Sequence, residues 1–209
     1  LHRKARRRTP YPIVALVGYT NAGKSTLFNR LTDANVDAQD QLFATLDPTM
    51  RGIDLRSGRS LILSDTVGFI SDLPHELVTA FHATLEEVTE ADIVIHVRDA
   101  AHPDTGAQKK DVLKVLATLG LNDNGDKTDK KFIEVLNKID AVETDDLVIL
   151  KTKAERAGGP VVNVSALTGE GCSALLHTID ELLALSTSTH AIDVQSADGA
   201  TLSWLYDHG

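Results

Sequence analysis

Ile13-Val14-Ala15-Leu16-Val17-Gly18-Tyr19-Thr20-Asn21-Ala22-Gly23-Lys24-Ser25 decides the fold of this chain. The first five residues form an unbroken apolar run rich in β-branched side chains, which reads as a buried parallel strand. Gly18 to Ser25 fits G-x-x-x-x-G-K-S, the P-loop pattern. Lys24 to Leu31 reads as a helix with Leu27, Phe28 and Leu31 on one face. Strand, glycine loop, helix is the order that phosphate binding needs. Gly18 and Gly23 let the backbone turn tightly, so successive N–H groups can face phosphate oxygens. The helix N-terminus adds partial positive charge. Lys24 supplies a cation to the β- and γ-phosphates, and Ser25 a hydroxyl to Mg²⁺. Tyr19, Thr20, Asn21, Ala22 and Thr26 complete the stretch expected to touch nucleotide. The bland alternative is a chance glycine turn before a helix.

A second loop, Asn137-Lys138-Ile139-Asp140, follows the apolar run Phe132-Ile133-Glu134-Val135-Leu136. A carboxylate at Asp140 can accept hydrogen bonds from guanine N1–H and the exocyclic amine. Adenine has neither donor there, so buried polar groups would go unpaired. Lys138 can lie along the base plane, and Asn137 can tie this loop to the P-loop. A plain surface turn is the competing reading. Ser165-Ala166-Leu167 can give a backbone N–H to guanine O6, although the tripeptide alone is uninformative.

Asp65-Thr66-Val67-Gly68 ends another apolar strand. There Asp65 can hold Mg²⁺ through a water, and Gly68 can offer its N–H to the γ-phosphate. Phe43-Ala44-Thr45-Leu46-Asp47 lies between the first helix and the next hairpin. Nucleotide switches need a threonine there whose hydroxyl reaches Mg²⁺ only when the γ-phosphate is present. Thr45 is the choice and Thr49 the rival; either can also bond local backbone as an ordinary loop threonine. The expected metal set is Ser25 and Thr45, with Asp65 behind a water. Lys24, Thr45 and Gly68 are expected to carry the catalysis.

Elsewhere the elements alternate between strand-like and helix-like, which favours an α/β doubly wound sheet. Arg51 to Leu55 and Ser60 to Ser64 read as a hairpin around Arg56-Ser57-Gly58-Arg59. Pro74 can open a helix running to Thr89. Ile93 to Val97 is the next buried strand, and Asp104 can cap a helix carrying Val112, Val115, Leu116 and Leu119. Asn122 to Asp126 is a turn. Leu147 to Arg156 is a helix ended by Gly158-Gly159-Pro160. Val161 to Val164 is the last strand, followed by a helix with Leu175, Leu176, Ile179, Leu182 and Leu183 on one face.

The chain has 209 residues, 42% of them apolar, enough for one sizeable core. Its net charge of −9 argues against the body being a general nucleic-acid binder, and no sequence-specific DNA contact is expected. Positive charge gathers in Arg3-Lys4-Ala5-Arg6-Arg7-Arg8, either a solvated linker or a patch facing RNA or a ribosome. Cys172 is the single cysteine, consistent with a reducing compartment. No apolar stretch reaches membrane-spanning length, and no secretory signal is visible. The start at Leu1 and the end at Gly209 read as those of a fragment of a longer protein.

All five loops of the translation-factor-like GTPases occur here in order. Gly18 to Thr26, Phe43-Ala44-Thr45-Leu46-Asp47-Pro48-Thr49 and Asp65-Thr66-Val67-Gly68-Phe69-Ile70 resemble the HflX family of ribosome-associated GTPases. The likeness spans about Arg6 to Leu185, with the tail a further candidate. It implies a P-loop NTPase fold with a Ras-like six-stranded sheet, mostly parallel, with one antiparallel edge pair. It implies GTP and GDP as ligands, Mg²⁺ as cofactor, and the large ribosomal subunit as partner, with splitting or rescue of stalled ribosomes. It also implies a missing N-terminal domain. Residues 1–11 are then a basic linker, 12–186 the GTP-binding domain, and 187–209 a linker and the start of a truncated region. A cytoplasmic monomer is expected.

Two departures from a Ras-like site matter. Phe69 follows Gly68, where Ras-like enzymes carry a water-orienting glutamine, so slow hydrolysis in isolation is expected. Phe69 can equally pack the switch. Asn21 stands where K⁺-using GTPases place an ion ligand, so K⁺ is a candidate cofactor. His75 and His82 share a helix face without a third ligand, which reads as a solvated face and not a metal site. His96 reads as a core or rim residue. Competing functions are a GTP-dependent binding switch with negligible turnover, a role in RNA modification or membrane-linked signalling, and an ATP preference that Asp140 disfavours.

Overall fold

A computed structural model describes residues 11–33, 49–68, 87–118, 121, 131–156, 158–185, 194 and 198–208. Strand β1 (Ile13–Val17) leads into helix α1 (Lys24–Thr32). Strands β2 (Thr49–Asp54) and β3 (Ser60–Asp65) follow, then β4 (Ile93–Asp99) and α2 (Thr105–Thr118). Strand β5 (Lys131–Asn137) passes through a 3₁₀ turn (Ile139–Ala141) into α3 (Thr144–Glu155). Strand β6 (Val161–Asn163), α4 (Cys172–Ala184) and α5 (Gly199–His208) complete the order. The expected turn at 122–126 and the expected helix residues 74–86 lie outside the described residues; residues 87–90 are helical.

The six strands form one sheet in the order β2-β3-β1-β4-β5-β6. Only β2 and β3 run antiparallel, and the other neighbours are parallel. The doubly wound α/β reading, with its antiparallel edge pair, holds. Tight pairing of β2 with β3 comes from the intervening turn, where Gly58 adopts φ 83 and the Leu55 N–H donates to the Arg59 carbonyl over 2.8 Å.

β1 lies inside the sheet, between β3 and β4, and all its side chains are apolar. Val14, Ala15, Leu16 and Val17 are fully buried, with alternate residues feeding opposite faces of the sheet. Val14 and Leu16 pack with Leu27 and Phe28 of α1 and Leu175, Ile179 and Leu183 of α4. Ala15 and Val17 pack with Val88 and with Val112 and Leu116 of α2. Each fully buried Val or Leu side chain contributes roughly 1.5–3 kcal/mol, so truncation at Val14 or Leu16 weakens one layer and truncation at Val17 the other.

The order places β1 between β3 and β4, which is where the winding direction reverses. Ligands of open α/β sheets settle beyond the carboxyl ends of the strands at such a point. Register confirms which residues share that edge: Leu16 pairs with Asp65, Val17 with His96, and Asp99 with Asn137.

Candidate nucleotide-binding site

The glycine loop connects β1 to α1 in close contact with its neighbours. A Cβ on Gly18 would sit 2.2 Å from the Val97 carbonyl oxygen, and one on Gly23 would sit 2.3 Å from Asn137 Nδ2. Gly23 also has φ 90, and it immediately precedes α1. Asn21 holds a left-handed φ of 58 at the exposed tip of the loop, a conformation asparagine tolerates better than most residues. Thr20 and Ala22 are buried, while Tyr19, Ser25 and Thr26 are partly exposed.

Lys24 curls back over the loop. Its Nζ donates to the carbonyls of Gly18 at 3.2 Å and Tyr19 at 3.1 Å. Burial pushes its ammonium down to about 8, partly offset by the nearby Asp65 carboxylate. A cation so poorly hydrated is primed for an anionic ligand. Ser25 Oγ donates to Asp65 Oδ2 at 2.7 Å, joining the first turn of α1 to the end of β3. After Asp65, Thr66 is anchored by its hydroxyl to the Leu16 carbonyl at 2.6 Å. Val67 is buried, and Gly68 lies against the P-loop. A Cβ on Gly68 would come within 2.8 Å of Thr20 Cγ2 and 3.1 Å of Lys24 Nζ.

The other end of the site is built from β5 and β6. Asn137 is buried, and its Nδ2 donates to the Ala22 carbonyl at 2.8 Å. Its Oδ1 accepts the Ala166 N–H at 3.0 Å. Lys138 takes φ 64, and its ammonium pairs with Asp99 at 2.8 Å while its stem passes the Gly23 position. Asp140 is exposed in the 3₁₀ turn. Ser165 and Ala166 are buried, and Leu167 is exposed.

Two clusters therefore share one edge of the sheet: Lys24, Ser25, Asp65 and Gly68 on one side, and Lys138, Asp140 and Ser165 to Leu167 on the other, with Asn137 bridging them. Phe43, Ala44, Thr45, Leu46, Asp47 and Phe69 lie outside the described residues, as do His75 and His82. Thr49, the rival to Thr45, opens β2 and pairs with Asp65 across the edge strands.

Asp99, Arg30, Arg98 and Lys109 escaped the sequence reading, whereas His96, read as a core or rim residue, is buried. Asp99 steers Lys138, and Arg30 reaches the 165–167 turn. Beside the site, buried His96 and Arg98 on β4 meet Glu134 on β5 and Lys109 on α2. Arg98 Nη1 and Lys109 Nζ both engage the Glu134 carboxylate. Burial holds the His96 imidazole neutral, down at about 3. The available signal was charge on alternate residues of strands that otherwise read as apolar.

The donor set suits Mg²⁺. A serine hydroxyl and a buried carboxylate are hard oxygen donors, and Mg²⁺ takes one or two protein ligands with waters and phosphate oxygens for the rest. Among the described residues no cluster of three or more His, Cys, Asp or Glu could hold a metal alone.

The 50S ribosome-binding GTPase family model matches residues 13–138, and the HflX C-terminal domain model matches 149–209. The second match begins inside α3, so it includes β6 and α4, which complete the same sheet. The GTPase HflX of Magnetococcus marinus is 45% identical over 203 residues, covering 97% of this chain and 45% of that protein. The GTPase HflX of Escherichia coli is 41% identical over 204 residues, covering 98% of this chain and 46% of that protein. The chain thus spans less than half the length of these relatives. Among solved structures, a GTP-binding protein from Sulfolobus solfataricus in complex with GDP superposes with a TM-score of 0.65 at 27% identity, over 84% of this chain and 53% of that one. Sheet order, glycine loop and sequence matches agree: the chain belongs to the 50S ribosome-binding GTPase family, in its HflX branch.

Proposed function

We propose that this chain is the GTP-binding and GTP-hydrolysing part of a protein that associates with the large ribosomal subunit and serves in ribosome splitting or rescue. The observation that carries the nucleotide reading is the Asn137 bridge between the P-loop carbonyl of Ala22 and the 165–167 turn, because it sets phosphate and base sites at a fixed separation. The ribosomal reading draws on the family.

In this reading Lys24 and the P-loop amides hold the phosphates, while Asp140 selects guanine. Ser25 and Thr45 would ligate Mg²⁺, with Asp65 holding one of its waters. The ion would neutralise charge growing on the phosphate oxygens. Gly68, packed on Thr20 and Lys24, can sense a γ-phosphate because nothing bulkier fits there. Thr45 and Gly68 then form the two switches. Asn21 at the exposed tip is the candidate K⁺ ligand. Residues 12–186 form the nucleotide domain, with a basic linker before it and a further region beginning at 187. Among the described residues no helix is long and apolar enough to cross a membrane. We place the protein in the cytoplasm, as a monomer.

Phe69 favours a second reading, a GTP-dependent binding switch with little turnover of its own, since a phenyl ring cannot orient a nucleophilic water. Co-sedimentation of the full-length protein with large ribosomal subunits, in GTP against GDP, tests the proposal. Retention in GTP and release in GDP are expected; equal retention in both would refute it. Single-turnover rates with and without subunits separate the two readings, and KCl against NaCl tests the K⁺ site.

A further inference from the structure

Arg30 stands in the last turn of α1, the helix that starts with Lys24 at the phosphate end. Its Nε donates to the Ala166 carbonyl at 3.1 Å, and its Nη2 donates to the Leu167 carbonyl. The neighbouring amides of that turn are already committed. Ser165 N–H goes to the Glu170 carbonyl at 2.9 Å and Gly169 N–H to the Ser165 carbonyl at 2.8 Å. Ala166 N–H goes to Asn137 Oδ1, and Thr168 N–H goes to Ser165 Oγ at 3.1 Å. The amide in the middle of the turn is that of Leu167.

Leu167 N–H belongs to the same peptide plane as the Ala166 carbonyl. In a trans peptide the two point in opposite directions, and no cis bond occurs among the described residues. Holding the carbonyl therefore fixes where the N–H points, away from Arg30. A guanidinium on the carbonyl also polarises the peptide and makes its N–H a stronger donor. The Leu167 side chain cannot do this anchoring, because it is 70% exposed.

We propose that Arg30 is a positioning residue for base recognition: it holds the Ala166–Leu167 peptide so that the Leu167 N–H is offered to the 6-oxo group of guanine. The proposal depends on the base-contact reading of residues 165–167 above. It makes α1 a rigid spacer whose first residue addresses phosphate and whose last turn sets the base pocket.

The test is displacement of fluorescent GDP by GDP and by 6-thio-GDP, whose sulfur is a poorer acceptor. Wild type, Arg30→Ala and Arg30→Lys are compared, each with its melting temperature. Wild type is expected to prefer GDP by about five- to tenfold, the size of one hydrogen bond. Arg30→Ala should cut that preference to roughly twofold or less. Arg30→Lys should fall between, since an ammonium lacks the fork that spans two carbonyls. If both variants keep the wild-type preference, or lose both ligands by the same factor, the positioning role is overturned. If wild type itself does not discriminate, the base-contact reading fails and the inference falls with it.

Discussion

Asn137 Nδ2 donates to the Ala22 carbonyl across 2.8 Å, and a methyl group on Gly23 would occupy the space that amide needs. One buried side chain thus links the end of β5, proposed to carry base recognition, to the glycine loop, proposed to carry phosphate recognition. Asn137→Ala leaves the Ala22 carbonyl and the Ala166 N–H without this partner, at about 1–3 kcal/mol each. Chemical denaturation should show that loss of stability, and GDP affinity should fall by more than tenfold. Gly23→Ala should give the same double loss through strain at φ 90 and collision with Asn137.

Lys24 is held in conflict with its surroundings. Its folded value of about 8 lies below the ordinary 10.5. Between those values the unfolded chain binds more protons, so stability of the nucleotide-free protein should rise from pH 8 to 10.5. Below pH 8 the buried charge costs roughly 3 kcal/mol. Lys24→Met is therefore expected to raise the melting temperature at pH 7 in the absence of nucleotide and to abolish GTP binding. A lower melting temperature would show that the two carbonyl contacts outweigh desolvation.

Asp140 is exposed in a three-residue 3₁₀ turn, so its replacement should leave stability within about 0.5 kcal/mol. Its effect should fall on specificity. Asp140→Asn offers a donor where guanine presents donors, and it should shift preference from GTP toward XTP by roughly a hundredfold or more. Competition between the two nucleotides on the wild type and the variant checks it. An unchanged ratio would place base selection elsewhere.

The strand, glycine loop and helix proposed to hold phosphate were legible because apolar runs and glycine spacing constrain the backbone directly: β1, the loop from Gly18 and the start of α1 fall where the sequence puts them. Asn137 was legible for the same reason, standing at the end of a strand. Strand ends were harder to read. Ile93 to Val97 continues through Arg98 to Asp99, because Arg98 finds Glu134 across the sheet and a charge that looks like a terminator is paired instead. Helix α3 starts at Thr144, before the apolar residues that suggested Leu147. Arg30 was invisible, since its partners are carbonyls 136 and 137 residues away. Backbone acceptors leave no trace in sequence.

The buried polar cluster beside the site predicts acid sensitivity. His96 on β4 faces Glu134 on β5 and Lys109 on α2, with Arg98 on its own strand and Lys24 beyond. Burial holds its imidazole at about 3 against an ordinary 6.5, so the unfolded chain binds the extra proton between those values. Stability should fall as pH drops through that window, by on the order of 4 kcal/mol at its lower end. Glu134 adds loss of the same sign at lower pH. Burial alone would raise its carboxyl, but the hydrogen bonds and charges of Lys109 and Arg98 outweigh that and hold it below 4.5. Its contribution is therefore present above 4.5 and lost as pH falls below it. His96→Leu should flatten the slope between pH 6.5 and 4.5 while Glu134→Gln leaves that part intact, because the two titrate in different ranges. Denaturation midpoints across pH 7 to 4 separate them. A His96→Leu slope equal to the wild type would mean that the imidazole charges without unfolding the chain.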